Sequence, residues 1–217
     1  MDRVFIATSS AGKLRDFAGA AFAHRVEVAT LEGFASLPSV EEDGETFEAN
    51  ARKKAEHYSR LAPGKLVLAD DSGLEVGALG GAPGVRSARY AADADAPQSA
   101  SRDSANNARL LRDLEGIPDR RRSGRFVCVI AAARDGVTLA VFRGKAGGVI
   151  LREPRGSGGF GYDPLFYVES LGKTFAQLSA EEKARVSHRG RAFRNFLDWY
   201  AQRGSMEGNA DASLRSG

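Results

Sequence analysis

Residues 68–90 read Leu68-Ala-Asp70-Asp71-Ser72-Gly73-Leu-Glu-Val-Gly77-Ala-Leu-Gly80-Gly81-Ala-Pro83-Gly84-Val-Arg-Ser-Ala-Arg-Tyr90. The apolar run Leu66–Ala69 leads into two adjacent acids and is bounded by turn residues, which predicts a short buried strand. Acids at the end of a buried strand are costly unless a cation meets them. A divalent metal carrying a phosphorylated ligand meets that need. An Asp pair after a strand also serves as a helix cap or a turn. Alone, the stretch leaves both readings open.

Outward from this strand the chain alternates. Arg3–Thr8 predicts a first strand, and Leu14, Phe17, Ala18, Ala21 and Phe22 recur at helical spacing. Val26–Ala29 predicts a second strand and Leu31–Gly44 a loop. A helix is expected over Thr46–Leu61 with Phe47, Asn50, Ala51, Lys54, Ala55 and Tyr58 inward, stopped by Pro63-Gly64. Arg102–Glu115 predicts a helix anchored by Leu110, Leu111 and Leu114. Arg125–Ala133 and Val137–Arg143 flank Asp135-Gly136, a hairpin signal, and Gly144–Leu151 extends that sheet. Leu165–Val168 is a short strand. Ser179 and Glu182 form a capping box for a helix to about Val186. The final helix, from His188 to about Gln202, buries Ala192, Phe193, Phe196, Leu197 and Tyr200. The fold class is α/β, with a mixed central sheet flanked by helices.

The 217 residues, 42% of them hydrophobic, suffice for one domain, expected over 1–203. Residues 204–217 are small and polar, and are expected to be a disordered tail. A net charge of +3 does not by itself make a nucleic-acid binder. The run Arg120, Arg121, Arg122 and Arg125 is expected to be a solvated loop. The lone Cys128 cannot form an internal disulfide and is expected to be buried, in keeping with a reducing cytoplasm. No segment reaches the ~18 apolar residues of a membrane span.

Four places converge on a triphosphate. The turn Thr8-Ser9-Ser10-Ala11-Gly12-Lys13 joins a strand to a helix N-terminus, where free N–H groups and the dipole favour an anion. It lacks the Walker A spacing, and Ser9 or Ser10 serves equally as an ordinary cap. Glu41, Glu42 and Asp43 precede a helix with Asn50 and Lys54 one turn apart, suited to metal and phosphate or to a solvated loop. Asp70-Asp71-Ser72 is the third place, where one acid ligates Mg²⁺ and accepts a proton from water. The fourth pairs Phe160-Gly161-Tyr162-Asp163, with Phe160 set to stack on a base, with the donors Lys183, His188 and Arg189. Such a stack is worth ~1–3 kcal/mol. Core packing and capping are the plainer readings of these aromatic and histidine side chains.

With these residues the sequence resembles the inosine triphosphate pyrophosphatase family, which includes the bacterial dITP/XTP pyrophosphatases. The resemblance spans roughly Val4 to Leu197. It rests on ADDSGLEV with GGAPGVRSARY, on GGFGYDPLF and on EEKARVSHRGRA. It implies Mg²⁺-dependent hydrolysis of dITP, ITP or XTP to a monophosphate and pyrophosphate, by a cytoplasmic homodimer with a nucleotide cleft between two lobes. It further implies that Thr8 to Lys13 cradle phosphates and that Glu42 and Asp71 flank the Mg²⁺ with Asp70 close by. Asp71 takes the proton of the attacking water, and Lys54 faces the phosphate chain. Ser72 touches substrate, and Phe160 stacks on the base in a pocket shaped by Gly161, Tyr162 and Asp163. Lys183, His188 and Arg189 close over the nucleotide, the last two selecting a 6-oxo purine. Two departures stand out. The family usually carries Thr-Gly-Asn where this chain has Thr8-Ser9-Ser10, and Gly77 stands where an acid is common. A pyrophosphatase for modified pyrimidine nucleotides and a basic nucleic-acid-binding module are the rival readings.

Overall fold

The computed structural model describes residues 3–21, 26–92 and 101–214, with side chains to residue 203. Phe22, expected on the first helix, lies outside the described residues. Twelve elements carry the fold: β1 (Arg3–Ile6), α1 (Ala11–Ala21), β2 (Glu27–Thr30), α2 (Phe47–Arg60), β3 (Val67–Val76), α3 (Arg102–Asp113), β4 (Ser123–Arg134), β5 (Val137–Ile150), β6 (Phe166–Val168), β7 (Lys173–Thr174), α4 (Ala180–Val186) and α5 (His188–Leu214). One sheet runs β2-β1-β3-β4-β5-β6-β7. β2, β1 and β3 are mutually parallel, and every later pairing is antiparallel.

Strand alternation divides the core. Leu68, Cys128 and Ile130 face one side with Phe17 of α1 and Phe193 and Phe196 of α5. Val67, Ala69, Val129 and Ala131 face the other with Ala51, Ala55 and Tyr58 of α2. The expected inner face of α2 is buried throughout, and Thr46 caps it by accepting from the Ala49 N–H. Asp135 (φ +50°) and Gly136 (φ +84°) make the tight β4–β5 turn that this dipeptide signals. Ser179 and Glu182 form the expected capping box.

Three expectations are corrected. β3 does not end before the acids but runs on to Val76, because the apolar β4 ladder supplies backbone partners throughout, Asp70 opposite Ile130 and Asp71 opposite Val129. α5 does not stop near Gln202; helix continues to Leu214 through part of the expected tail, where Met, Glu and Ala favour helix over the ~1 kcal/mol cost of each glycine. Arg122 is not solvated. It is 2% exposed, and its guanidinium donates to the carbonyls of Leu114, Ile150 and Leu151. With Arg125 paired to Glu75 as well, the arginine run presents no continuous basic face.

Candidate active site

The order β2-β1-β3 puts the sequence neighbours of β1 on opposite sides of it, with α1 on one face of the sheet and α2 on the other. In open α/β sheets ligands bind at such a switch point, beyond the carboxyl ends of the strands. Here β1 leaves β3 after Ile6 pairs Leu68 and the Ala7 N–H reaches the Leu68 carbonyl. Further along, the edge of β3 is covered again: Ser87 Oγ takes the Leu74 N–H and Ala82 the Val76 N–H. Between these points Asp71 and Ser72 line a cavity of about 290 Å³ together with Ser10, Lys13, Glu42, Phe160, His188 and Arg189.

At the phosphate end, Ser10 is the cap of α1. Its Oγ accepts from the Lys13 N–H at 3.3 Å, and Thr8 Oγ1 accepts from the Ser10 N–H at 3.2 Å. Serine in place of the family's usual asparagine therefore still builds a helix start whose first N–H groups lack intrahelical partners. Thr8 is buried in this turn, while Ser9 and Ala11 are exposed. Lys13 reaches back to Asp70 at 2.9 Å.

Period-two alternation sends the two aspartates to opposite faces. Asp70 accepts from Lys13 and from Ser72 Oγ (3.2 Å), with Arg189 Nε at 3.5 Å. Burial works to raise its carboxyl, but the charges of Lys13 and Arg189 overcome this and hold it well below the usual range. Asp71 accepts from Asn50 Nδ2 at 3.0 Å and has Lys54 at 3.6 Å. Burial, opposed only in part by Lys54 and Asn50 and reinforced by Glu42, pushes it up to about 6. Glu42 takes the Lys54 ammonium at 2.8 Å and adjoins Asp71; burial raises it, but Lys54 brings it net below its ordinary value. Of the acidic run only Glu42 enters the cavity, since Asp43 pairs with Lys53 at the surface.

This arrangement bears on the expected metal. Glu42 and Asp71 offer two adjacent carboxylates, Asp71 buried and Glu42 part-exposed. Mg²⁺ takes one or two carboxylates and completes its shell with phosphate oxygens and water, so this pair fits it. Asp70 stands apart from the pair, its oxygens held by Lys13, Ser72 and Arg189. Among the described residues no group of three or more His, Cys, Asp or Glu side chains converges to cage a metal.

Beside this helix start, Phe160 lies against the first turn of α1, where only a glycine leaves room: a Cβ on Gly12 would stand 2.6 Å from the ring. Lys183 Nζ and the Arg189 guanidinium lie 4.9 and 5.4 Å from the ring centre. Asp163 accepts from the Phe160 N–H (2.8 Å) and from Lys183 Nζ (2.6 Å), and burial raises its carboxyl against both. The Tyr162 hydroxyl donates to the Ser87 carbonyl, a strut that fixes the loop. His188 is 3% exposed and stacks on Phe126 at 4.7 Å; its Nδ1 has no partner, and burial followed by the Arg189 charge keeps the ring neutral. Arg189 donates to Ser72 Oγ at 2.7 Å and to Asp16 at 2.6 Å.

Of the predicted residues, Ser10, Lys13, Glu42, Asp71, Ser72, Phe160, Gly161, Tyr162, Asp163, His188 and Arg189 line the one cavity, whereas Thr8, Ser9, Ala11, Gly12, Lys54, Asp70 and Lys183 are not on its lining. Asn50, noted with Lys54 on one helix face, holds Asp71, while Asp16 was not expected in the site. Asp16 could be found by helical spacing, one turn after Lys13. Asp103, Asn106 and Ser87 carry no local signal.

The chain is similar to proteins of known sequence and structure. The chain is 54% identical over 198 residues to a dITP/XTP pyrophosphatase of Acidobacterium capsulatum, covering 89% of this chain and 96% of that one. It is 50% identical to a dITP/XTP pyrophosphatase of Geobacillus kaustophilus, covering 88% and 91%. Among solved structures it matches the Ham1 protein of Staphylococcus aureus with a TM-score of 0.76 at 40% identity, covering 93% of this chain and all of that one. It matches a HAM1 protein of Coxiella burnetii with 0.77 at 38%, with the same coverage. Residues 4–199 match the family model, and the chain belongs to the Ham1 family.

Proposed function

We propose that this chain hydrolyses non-standard purine nucleoside triphosphates (dITP, ITP and XTP) to the monophosphate and pyrophosphate, with Mg²⁺. One observation carries the reading: the acid pair Glu42–Asp71 and the stacking group Phe160 with His188 and Arg189 share one cavity with the helix start at Ser10 and Lys13. Its relatives bear names of that activity.

Ser10, Lys13 and the first turn of α1 bind the phosphates, and Lys54 holds Glu42 and Asp71 in register. Mg²⁺, held by Glu42 and Asp71, would neutralise phosphate charge and favour ionisation of water. Asp71, raised towards neutrality yet largely ionised at pH 7, accepts the proton of the attacking water. Phe160 stacks on the purine. Arg189 and neutral His188 donate to the 6-oxo group, and a 6-amino group would leave a buried donor unpaired at a cost of ~1–3 kcal/mol, about ten- to a hundredfold against ATP. A homodimer in the cytoplasm completes the proposal and rests on the family resemblance; no described helix is long and apolar enough to cross a membrane.

The test is a panel of ITP, dITP, XTP, GTP, ATP, dUTP and dTTP with Mg²⁺, scoring pyrophosphate against single phosphate. Pyrophosphate released preferentially from the deaminated purines supports the reading. Equal rates on ITP and ATP, or release of single phosphate, overturns it.

A further inference from the structure

The loop that carries Phe160 is gripped by a helix outside the phosphate machinery. Ser101 caps α3 by accepting from the Ser104 N–H, which places Asp103 in the first turn and Asn107 one turn on, on the same face. Asp103 Oδ2 accepts from the Gly161 N–H at 2.7 Å. Asn107 Nδ2 donates to the Gly161 carbonyl at 2.9 Å. Both main-chain groups of one residue are therefore held by one helix face.

Gly161 has φ +60°, and glycine is the residue whose flanking peptides turn most freely. The peptide on one side of it leads from Phe160, and that on the other leads to Tyr162, whose hydroxyl is anchored on Ser87. Between the clamp residues Asn106 accepts from the Ala91 N–H and donates to the Ser87 and Ala88 carbonyls, fixing the facing wall of the same cavity. The first two turns of α3 hold both walls around the stacking ring, while the phosphates are bound on other elements.

We infer that Asp103 and Asn107 are positioning residues for base recognition, which set the plane of the Phe160 ring through Gly161. This rests on the proposed reading of the cavity. The clamp's two hydrogen bonds both go to Gly161, and neither reaches the cap at Ser10, Lys13 or the acid pair. Loss of one arm removes a hydrogen bond to a part-buried peptide, so KM for ITP should rise about tenfold with kcat little changed.

The experiment compares Asp103→Ala, Asp103→Asn, Asn107→Asp and wild type, measuring KM and kcat for ITP and the inhibition constant of inorganic pyrophosphate. Asp103→Ala should raise KM. Asn107→Asp should do so too, since its carboxylate faces a carbonyl oxygen. Asp103→Asn keeps an acceptor and should restore KM to near the wild-type value, and pyrophosphate inhibition should be unchanged in all. An unchanged KM in Asn107→Asp, or KM and pyrophosphate inhibition weakening together, overturns the inference. Should Asp103→Ala prove insoluble, Asn107→Asp and Asp103→Asn decide. Wild type inactive on ITP would instead remove the functional reading on which the inference stands.

Discussion

Asp70 and Asp71 are adjacent in sequence and opposite in chemistry. One is locked as a carboxylate between Lys13 and Arg189; the other, on the opposite face, is pushed up to about 6 beside Glu42. Strand geometry alone produces the division, since one residue of shift exchanges the two environments.

The first consequence concerns turnover. Asp71→Asn keeps the shape of the site and the Asn50 and Lys54 scaffolding but removes the proton acceptor. We expect kcat to fall about 10²–10⁴-fold, the usual value of general base catalysis, with KM for ITP changed little. Steady-state kinetics on ITP check it; near-normal kcat would remove Asp71 from the role.

The same substitution should act on stability with the opposite sign. A folded-state pKa of about 6 against an ordinary 3.8 means that the Asp71 contribution is fully present below about pH 3.8 and is lost as pH rises through 6. Above that the ionised side chain costs the folded state up to about 3 kcal/mol. In chelator, Asp71→Asn should therefore be more stable than wild type at pH 8, with the gap closing towards pH 4. Urea unfolding at both pH values reads this directly, and a variant less stable at pH 8 would contradict the burial argument.

Asp70 should behave in the reverse manner. Its depressed pKa gives stability that is present above the ordinary aspartate range and lost as pH falls through the folded value. Asp70→Asn leaves Lys13 and buried Arg189 short of a counter-charge, and breaking a buried pair costs about 3–5 kcal/mol. A fall in the unfolding midpoint at pH 7 is expected, larger than for Asp43→Asn at the surface.

Gly12→Ala separates fold from recognition. Alanine favours helix by up to about 1 kcal/mol, so the melting temperature should hold or rise. Its Cβ would meet the Phe160 ring at 2.6 Å and displace it. KM for ITP should rise several-fold, and an unchanged KM would mean that the observed ring position is not the one used in binding.

Much of this fold was legible because its signals are local. The Asp135-Gly136 turn, the Ser179 box and the inner face of α2 each depend on residues a few positions apart. The continuation of β3 was not legible, because two acids after an apolar run look like its end. What makes them tolerable lies far away, in Lys13, Lys54 and Arg189. Arg122 was misjudged for the same reason: its three carbonyl partners sit on other elements. Within the site, the strand-to-helix turn brought Lys13 into view, and helical spacing brought Asn50 and Lys54. The Asp103–Asn107 grip on Gly161 joins two main-chain groups and leaves no motif to read.

Four cations at or beside the cavity answer to a carboxylate of the protein itself. Lys13 meets Asp70, Lys54 meets Glu42 and Asp71, Lys183 meets Asp163, and Arg189 meets Asp16. These four are matched to acids before any polyanion arrives, which weakens their pull on a naked triphosphate or a stretch of nucleic acid. Entry favours a guest that arrives already part-neutralised and with a flat ring to slide beside Phe160, so discrimination begins before any bond is broken.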